Sequence, residues 1–247
     1  MSFIGQSVYL IRKDVTEEVV LKALNKVKCD KSLGPDSIHS NLLRAEAAEV
    51  VKPLTLIFQK SISEGKLDDD WKKANITPIY KKGSRNEAGN YRPVSLTSVV
   101  CKLLESITRD QILGYFNGTV FTKAKHGFVQ GRSCLTNLLE VLEHWTSSMD
   151  GGYGVDVIYL YYRKAFDTVF HRRLLTKLKM IGITGELLEW IKDFLHNRLM
   201  RVINGDCSYW SHAGRLCMER HSSGLCTWIT ILFLIFVNDL PNWITTY

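Results

Sequence analysis

The chain has 247 residues, 45% of them hydrophobic, which is ordinary for a globular protein that buries a core in one large or two small domains. Its net charge of +7 at pH 7 favours a polyanionic partner. Six cysteines show neither a Cys-x-x-Cys pair nor a histidine at zinc-finger spacing. This pattern excludes a zinc finger and indicates reduced thiols in an intracellular protein.

No targeting or membrane segment is expected. The N-terminus lacks a basic region followed by an apolar stretch and a small-residue cleavage site, so we expect the cytoplasm or nucleus and not secretion. The apolar run from Ile229 to Val237 is too short to cross a hydrocarbon core of about 30 Å as a helix. It is predicted to be a buried helix or strand, without a membrane partner.

The first third of the chain predicts two helices separated by a tight turn. A helix starts near Thr16, and apolar residues recur on one face up to Lys28. The Gly-Pro-Asp sequence at 34–36 marks the turn, and a second helical pattern starts at Asn41. Pro53 is expected to kink or divide this second helix, because proline removes a backbone donor and its ring crowds the preceding turn.

The middle of the chain mixes strand and helix patterns. β-Branched and aromatic residues predict a strand from Trp71 to Tyr80, and a polar loop follows from Lys81 to Asn90. Val94 to Phe116 is predicted to be a helix. Ser133 to Trp145 has the spacing of an amphipathic helix, with Ser133 able to cap it.

The last part of the chain completes an α+β pattern. Gly154 to Tyr161 is the clearest predicted strand. Helices are predicted from His171 to Ile181 and from Gly185 to Leu195, followed by a short strand from Met200 to Asn204. Strands and helices that do not strictly alternate indicate the α+β fold class.

Basic residues concentrate in two stretches. By themselves such runs usually form solvated faces, and only the motifs around them favour a binding role. The first stretch contains Lys72, Lys73, Lys81, Lys82, Arg85 and Arg92, and the second contains Arg172, Arg173, Lys177 and Lys179.

Four ordered motifs resemble those of one polymerase family. They are Lys31-Ser32-x-Gly34-Pro35-Asp36, the run from Trp71 to Gly83 continued by Tyr91-Arg92-Pro93-Val94-Ser95-Leu96, the segment His126 to Ser133, and Val155 to Asp167. Between about residue 16 and residue 210 the chain resembles reverse transcriptases of non-LTR (LINE-type) retrotransposons. The Gly-Pro-Asp segment alone has little weight, whereas the Tyr-Arg-Pro-Val-Ser-Leu string is specific.

The resemblance implies an architecture, a reaction and partners. It implies the fingers and partial palm of a right-hand polymerase, with 1–150 as the fingers region, 151–247 as a partial palm that is degenerate from about residue 211, and no thumb. The implied ancestral reaction is RNA-directed DNA synthesis with Mg²⁺. The implied partners are an RNA template and an RNA–DNA duplex.

The resemblance also implies roles for individual side chains. Lys81, Lys82 and Arg92 would bind the triphosphate, Arg132 would contact a phosphate, and Phe166 would wall off the sugar 2′ position. Each has a plainer alternative: an exposed basic hairpin for the first three, a loop with a helix cap for Arg132, and a core position for Phe166.

Motif A departs from the family at the first metal ligand. The family carries Tyr-Leu-Asp where this chain has Tyr159-Leu160-Tyr161. A phenol with an ordinary pKa near about 10 is neutral at physiological pH and a poor ligand for Mg²⁺. Asp167 is retained but lies six positions later, and Asp156 has an odd offset that places it on the opposite strand face. We therefore expect no intact catalytic residue and no productive Mg²⁺ site.

The family's next motif, Pro-Gln-Gly-Ser-Val-Leu-Gly-Pro, is absent. Residues Ser222 to Trp228 can be encoded so that the frame one nucleotide later spells Pro-Gln-Gly-Ser-Val-Leu-Gly. We infer a frameshift, with the family pattern returning from Ile231 and no Ala-Asp-Asp sequence by Tyr247.

Two alternatives remain open at this point. Beside an inactive polymerase domain, they are a residual nucleic-acid-binding fragment that acts through its basic fingers and a poorly folded product. In the second case an incomplete sheet leaves an unpaired edge and exposes the apolar run from Ile229 to Val237.

Overall fold

The computed structural model of the chain describes residues 15–30, 32–116, 121, 125–129, 131–160, 165–166, 168–203, 209–212 and 227–238. Cys29, Cys101 and Cys134, the cysteines within these ranges, form no disulfide bond.

The first helix is capped as its sequence predicts. Helix α1 spans Glu17–Asn25, and the Thr16 hydroxyl accepts a hydrogen bond from the backbone N–H of Val19 at 3.3 Å. Its end comes three residues before the expected Lys28. Beyond Asn25 the backbone tightens, and the N–H of Val27 donates to the carbonyl of Leu24.

The second predicted helix is divided, but not at its proline. Helix α2 spans Ser40–Ala45 and α3 spans Ala47–Glu64, so the break falls at Glu46. Helix α3 continues through Pro53, so the expected division at that residue is wrong, while a kink there stays a prediction. Proline has no N–H to donate to the carbonyl of Glu49, four residues earlier. Pro53 and Glu49 are both exposed, so water can donate a hydrogen bond to that carbonyl instead.

A four-stranded sheet follows, with strand order β2-β1-β3-β4. Its strands are β1 (Lys73–Tyr80), β2 (Tyr91–Thr97), β3 (Leu199–Val202) and β4 (Ser211–His212). Strand β1 pairs antiparallel with β2 and parallel with β3, and β3 pairs antiparallel with β4. The predicted strands at 71–80 and 200–204 are confirmed over 73–80 and 199–202. Strands from both sides of residue 150 therefore share one sheet.

The predicted helix from Val94 to Phe116 is wrong over its first turn. Tyr91–Thr97 forms β2, and helix α4 spans Val99–Phe116. The helical period of the apolar residues begins only after Ser98. Before that residue, pairing with β1 along seven residues satisfies the backbone better than an isolated helical turn would.

The Gly-Pro-Asp turn is fitted closely against the start of α4. A Cβ added to Gly34 would lie 2.7 Å from the carbonyl oxygen of Thr97 and 2.9 Å from the backbone nitrogen of Ser98. No larger residue fits without moving the backbone of either segment. The glycine of this motif therefore has a structural role that its sequence did not reveal.

Four further helices follow in the described part of the chain, and all but the first of them contribute buried side chains to one core. They are α5 (Cys134–Asp150), α6 (His171–Met180), α7 (Gly185–Leu195) and α8 (Thr227–Phe236). Helix α8 packs against α4 and α6, while α3 packs against α1 and α7. The largest fully buried side chains include Phe58, Leu104, Trp190, Phe194 and Trp228.

The apolar run at 229–237 is buried, as a helix. Ile231, Leu232, Leu234 and Ile235 of α8 are at most 5% exposed. The expectation that an incomplete sheet exposes this run is wrong, because α4 and α6 cover it.

The clearest predicted strand does not form in the described part of its range. Residues 153–160 form no regular secondary structure and pair with none of the described strands, and Ile158 and Tyr159 are more than 80% exposed. β-Propensity favours an extended backbone, but a strand also needs a neighbouring ladder of donors and acceptors. Apolar side chains of α5 are exposed as well: Leu135, Leu138, Leu139 and Leu142.

Within the described ranges, no helix combines the length and the apolar character that crossing a membrane requires.

Candidate nucleic-acid interface

The loop between β1 and β2 is internally braced. The backbone N–H of Lys81 donates to the carbonyl of Asn90 at 2.9 Å, and the Tyr91 hydroxyl donates to the carbonyl of Arg85 at 2.9 Å. The rings of Tyr80 and Tyr91 meet edge to face with centroids 5.6 Å apart, and the Arg85 guanidinium lies 5.2 Å from the Tyr80 ring centroid. The predicted polar loop at 81–90 is confirmed and has a defined shape.

This hairpin presents two lysine side chains to solvent. Lys81 and Lys82 are exposed, and neither ammonium forms an ion pair with any residue that the structure describes. Arg92 lies half-buried on β2, opposite Ile79 of β1, and makes contacts of its own. All three predicted triphosphate-binding residues therefore lie on one hairpin. Their role at a phosphate stays a prediction.

Two lysines of the same basic stretch are neutralised internally. The Lys72 side chain is 9% exposed, and its Nζ lies 2.9 Å from a carboxylate oxygen of Asp193 on α7 and 3.2 Å from one of Asp69. The Lys73 ammonium lies 2.6 Å from the Asp70 carboxylate. Lys72 thus anchors the start of β1 to α7, and the charge available near the hairpin is smaller than the sequence suggests.

The second fingers motif forms a capped loop. The Ser133 hydroxyl accepts from the N–H of Thr136 at 3.2 Å, and the Thr136 hydroxyl accepts from the N–H of Ser133 at 2.8 Å, which makes a reciprocal cap on α5. The predicted cap is confirmed. Arg132 is half-buried and donates from Nη1 to the carbonyl of Lys125 at 2.9 Å. This contact favours the plainer alternative for Arg132, whose phosphate contact stays a prediction.

Lysines from this loop and from the second basic stretch hold the C-terminal end of α8. Lys125 donates from Nζ to the carbonyl of Leu234 at 2.8 Å, and Lys177 donates to the carbonyl of Phe236 at 2.5 Å. Ammonium groups at this end offset the partial negative charge of the last carbonyls. Lys177 is therefore part of the fold, in contrast to the solvated face expected for its stretch.

Helix α6 begins at a pair of histidines. The ring centroids of His171 and His196 are 5.7 Å apart, and the Nδ1 of His196 lies 2.6 Å from the carbonyl of Lys192. Burial, followed by the proximity of His196, lowers the pKa of His171 from its ordinary value of 6.5.

Motif A is only partly within the described ranges. The predicted site residues Tyr161 and Asp167 lie outside them. The ring of Phe166 packs against Phe233 of α8, with centroids 4.3 Å apart, at the edge of the core. This contact fits the core alternative for Phe166, and its role at the sugar stays a prediction. Among the described residues, no group of three His, Cys, Asp or Glu side chains converges as a metal site would require.

The structure reveals a second cationic and aromatic group that motif reading missed. Arg201 on β3 and Trp210 beside β4 are in contact, with the guanidinium carbon 4.6 Å from the indole centroid. Neither residue belongs to a quoted motif. Only the strand pairing, which sequence alone does not specify, brings them together.

Comparison with known proteins identifies the family. A family model described as reverse transcriptase (RNA-dependent DNA polymerase) matches residues 79–247. The chain is 26% identical over 196 residues to the probable RNA-directed DNA polymerase from transposon BS of Drosophila melanogaster, covering 78% of this chain and 22% of that protein. It is 26% identical over 191 residues to the corresponding protein of the X-element from the same species, covering 76% and 20%.

A third relative comes from another insect. The Pol polyprotein of the type-1 retrotransposable element R2 from Popillia japonica is 23% identical over 199 residues, covering 80% of this chain and 27% of that protein. The chain spans about a fifth to a quarter of the length of these curated relatives. The motifs predicted this resemblance, and the family match extends over most of the chain. The chain therefore belongs to the reverse transcriptase (RNA-dependent DNA polymerase) family and resembles the enzymes of non-LTR retrotransposons.

Proposed function

We propose that this chain is a reverse-transcriptase domain that binds nucleic acid but does not catalyse polymerisation. The observation that carries the binding is the braced hairpin, which presents Lys81 and Lys82 to solvent with Arg92 at its base. The expected ligands are RNA and the RNA–DNA duplex, as the family implies.

The binding follows from charge. Lysine and arginine side chains that neutralise phosphates release condensed counterions, so affinity falls as salt rises. Such contacts position a strand without selecting its sequence. We therefore expect weak, salt-sensitive and sequence-independent binding.

The proposed absence of polymerisation follows from the side chains that motif A offers as metal ligands. The family acts with divalent metal ions, and Tyr161 offers a neutral phenol where the family carries an aspartate. The residues present do not fit a Mg²⁺ pair, so we propose that Mg²⁺ is not bound productively and derive no chemical step through it.

Several parts of this proposal rest on the resemblance. We assign 1–150 to the fingers and 151–247 to part of the palm, with Phe166 beside the sugar position and Arg132 near a phosphate. We also propose an intracellular location.

Residues 211–230 are assigned to a frameshift, and resequencing the transcript tests this assignment. Codons 222 to 228, read one nucleotide later, should spell Pro-Gln-Gly-Ser-Val-Leu-Gly or a near variant. An unrelated peptide in that frame would reject the frameshift.

The binding proposal is tested by measuring affinity for an RNA–DNA duplex across a salt series. Replacing Lys81, Lys82, Arg92 and Arg132 together by alanine should flatten the dependence of log affinity on log salt. Because Arg132 has a local structural contact, the double variant Lys81→Ala/Lys82→Ala is the cleaner probe. Each lost phosphate contact lowers the slope by about 0.7–0.9, so the double variant should lower it by about 1.5.

A matched control removes the same charge elsewhere. Lys22 and Lys26 are exposed lysines on and just after α1. The variant Lys22→Ala/Lys26→Ala should keep the wild-type slope. A slope that is unchanged in the hairpin variants, or lowered equally in the control, contradicts the proposed interface.

Polymerisation is tested by extension of a DNA primer on an RNA template with Mg²⁺. We expect no extension, because the neutral phenol of Tyr161 stands where the family carries a metal-binding aspartate. Templated incorporation by the wild-type protein would contradict the proposed inactivity.

A further inference from the structure

Strand pairing places one row of side chains across three strands. The register sets Asn75 of β1 opposite Arg201 of β3. The β3–β4 register sets Met200 opposite Ser211, so one more step brings Trp210 opposite Arg201. Directly paired residues point to the same face of a sheet. Asn75, Arg201 and Trp210 therefore share a face.

The contacts in this row hold the arginine in a fixed orientation. The Nε of Arg201 donates to the Oδ1 of the buried Asn75 at 2.8 Å, and the guanidinium lies 4.6 Å from the Trp210 centroid. The Lys73 ammonium lies 6.0 Å from the same ring. No described residue accepts a hydrogen bond from the terminal amino groups of Arg201, which can therefore meet an outside acceptor.

The aromatic member of the row lies at the edge of the described sheet. Strand β4 is the last strand of the described sheet, and Trp210 immediately precedes it. Its side chain is 40% exposed, although an indole is among the most favourable groups to bury. An indole that two cations approach and water still reaches can stack against a flat, anion-bearing ligand.

The hairpin arginine shares this face. Ile79 pairs with Arg92, and Ile79 is an even number of residues from Asn75 on β1, so Arg92 and Arg201 project to the same side. Four residues of strand separate their positions along β1 by about 13 Å. This sheet face therefore presents the Arg201–Trp210 contact at one end and the Arg92 guanidinium farther along.

We propose that Trp210 and Arg201 form a stacking site for an unpaired nucleobase of single-stranded nucleic acid, whose backbone follows the sheet face towards Arg92. The inference rests on the nucleic-acid binding proposed above. Base stacking on aromatic side chains is tolerant of sequence, and a cation beside the ring neutralises the adjacent phosphate. A base inside a duplex has no free face for the indole, so the site distinguishes single strands from duplexes.

The test compares a labelled oligouridylate single strand with an RNA–DNA duplex of equal length, by fluorescence anisotropy at one salt concentration. Trp210→Ala should weaken single-strand binding about tenfold or more and leave duplex binding within about twofold. Tyr209→Ala is the matched control, because Tyr209 is an adjacent aromatic residue, 86% exposed, on the alternate face. It should retain wild-type binding to both ligands.

Each outcome decides a different point. Wild-type single-strand affinity in Trp210→Ala, or equal losses in Trp210→Ala and Tyr209→Ala, overturns the stacking site and leaves the hairpin proposal intact. If wild-type protein binds neither ligand, both proposals fail. Should Trp210→Ala not fold by circular dichroism, Arg201→Ala decides, and unchanged single-strand binding by that variant overturns the site.

Discussion

The buried pair of Lys72 and Asp193 gives the sharpest test of how the sheet is anchored. Asp193→Asn keeps the side-chain shape but removes the charge that faces the Lys72 ammonium at 2.9 Å. The amide oxygen can still accept from the N–H of Leu67, now 2.7 Å from the carboxylate. The change therefore isolates the ion pair from the backbone contact.

The magnitude follows from burial. Removing one partner of a buried ion pair costs about 3–5 kcal/mol, because the other charge remains without compensation. Asp193 is 27% exposed, and the 93% exposed Asp69 still faces the ammonium, so we expect the lower end, about 3 kcal/mol. For a chain of this length that corresponds to a melting temperature about 10 °C lower.

The assay is urea unfolding followed by circular dichroism, with Asp69→Asn as the matched control. Asp69 is almost fully exposed and contacts the same ammonium, so its loss should be small. Lys72→Met should also destabilise the protein but leave the salt slope of nucleic-acid binding unchanged. Equal stability losses in Asp193→Asn and Asp69→Asn, or a lower slope in Lys72→Met, would refute the buried anchor.

Three further predictions concern packing, hydrogen bonding and pH. Gly34→Ala should lower the free energy of unfolding in urea by about 1–3 kcal/mol, because its Cβ meets backbone atoms. Gly114→Ala, in a helix with open space around the added Cβ, should raise it, and the reverse order would contradict the close fit. Trp190 and Trp228 are both buried, but only the Trp190 indole donates a hydrogen bond to a described residue. Trp190→Phe should therefore lower the free energy of unfolding by about 1 kcal/mol more than Trp228→Phe does. Equal losses would argue against this difference. Because the pKa of His171 is lowered from 6.5, the unfolded chain binds a proton more readily below that pH. Stability should therefore fall as pH drops below 6.5, and urea titrations should show a weaker fall for His171→Asn; an identical pH profile would contradict the burial of that ring.

Local signals in the sequence were sufficient where the physical cause is itself local. The caps at Thr16 and Ser133 depend on a hydroxyl within three residues of the N–H that it accepts from. Strand β1 and the polar loop after it also follow from local patterns, whereas β2 was predicted as helix from Val94 because its pairing with β1 is not visible in its own sequence. The family also follows from ordered motifs, which persist in the sequence whether or not each side chain still acts.

The same local reasoning failed where partners come from distant segments. Lys72 has the sequence context of a solvated basic run, but folding brings it to Asp193, 121 residues later, and buries the charge. The strand pattern before Tyr161 lacks a described neighbour to pair with, so 153–160 stay exposed. The residues of the candidate site differ in the same way. Lys81 and Lys82 could be identified from their motif, whereas Arg201 and Trp210 could not. The contact of Arg201 with Trp210 is set by the β3–β4 register, because side chains far apart in sequence share a sheet face only after the strands have paired.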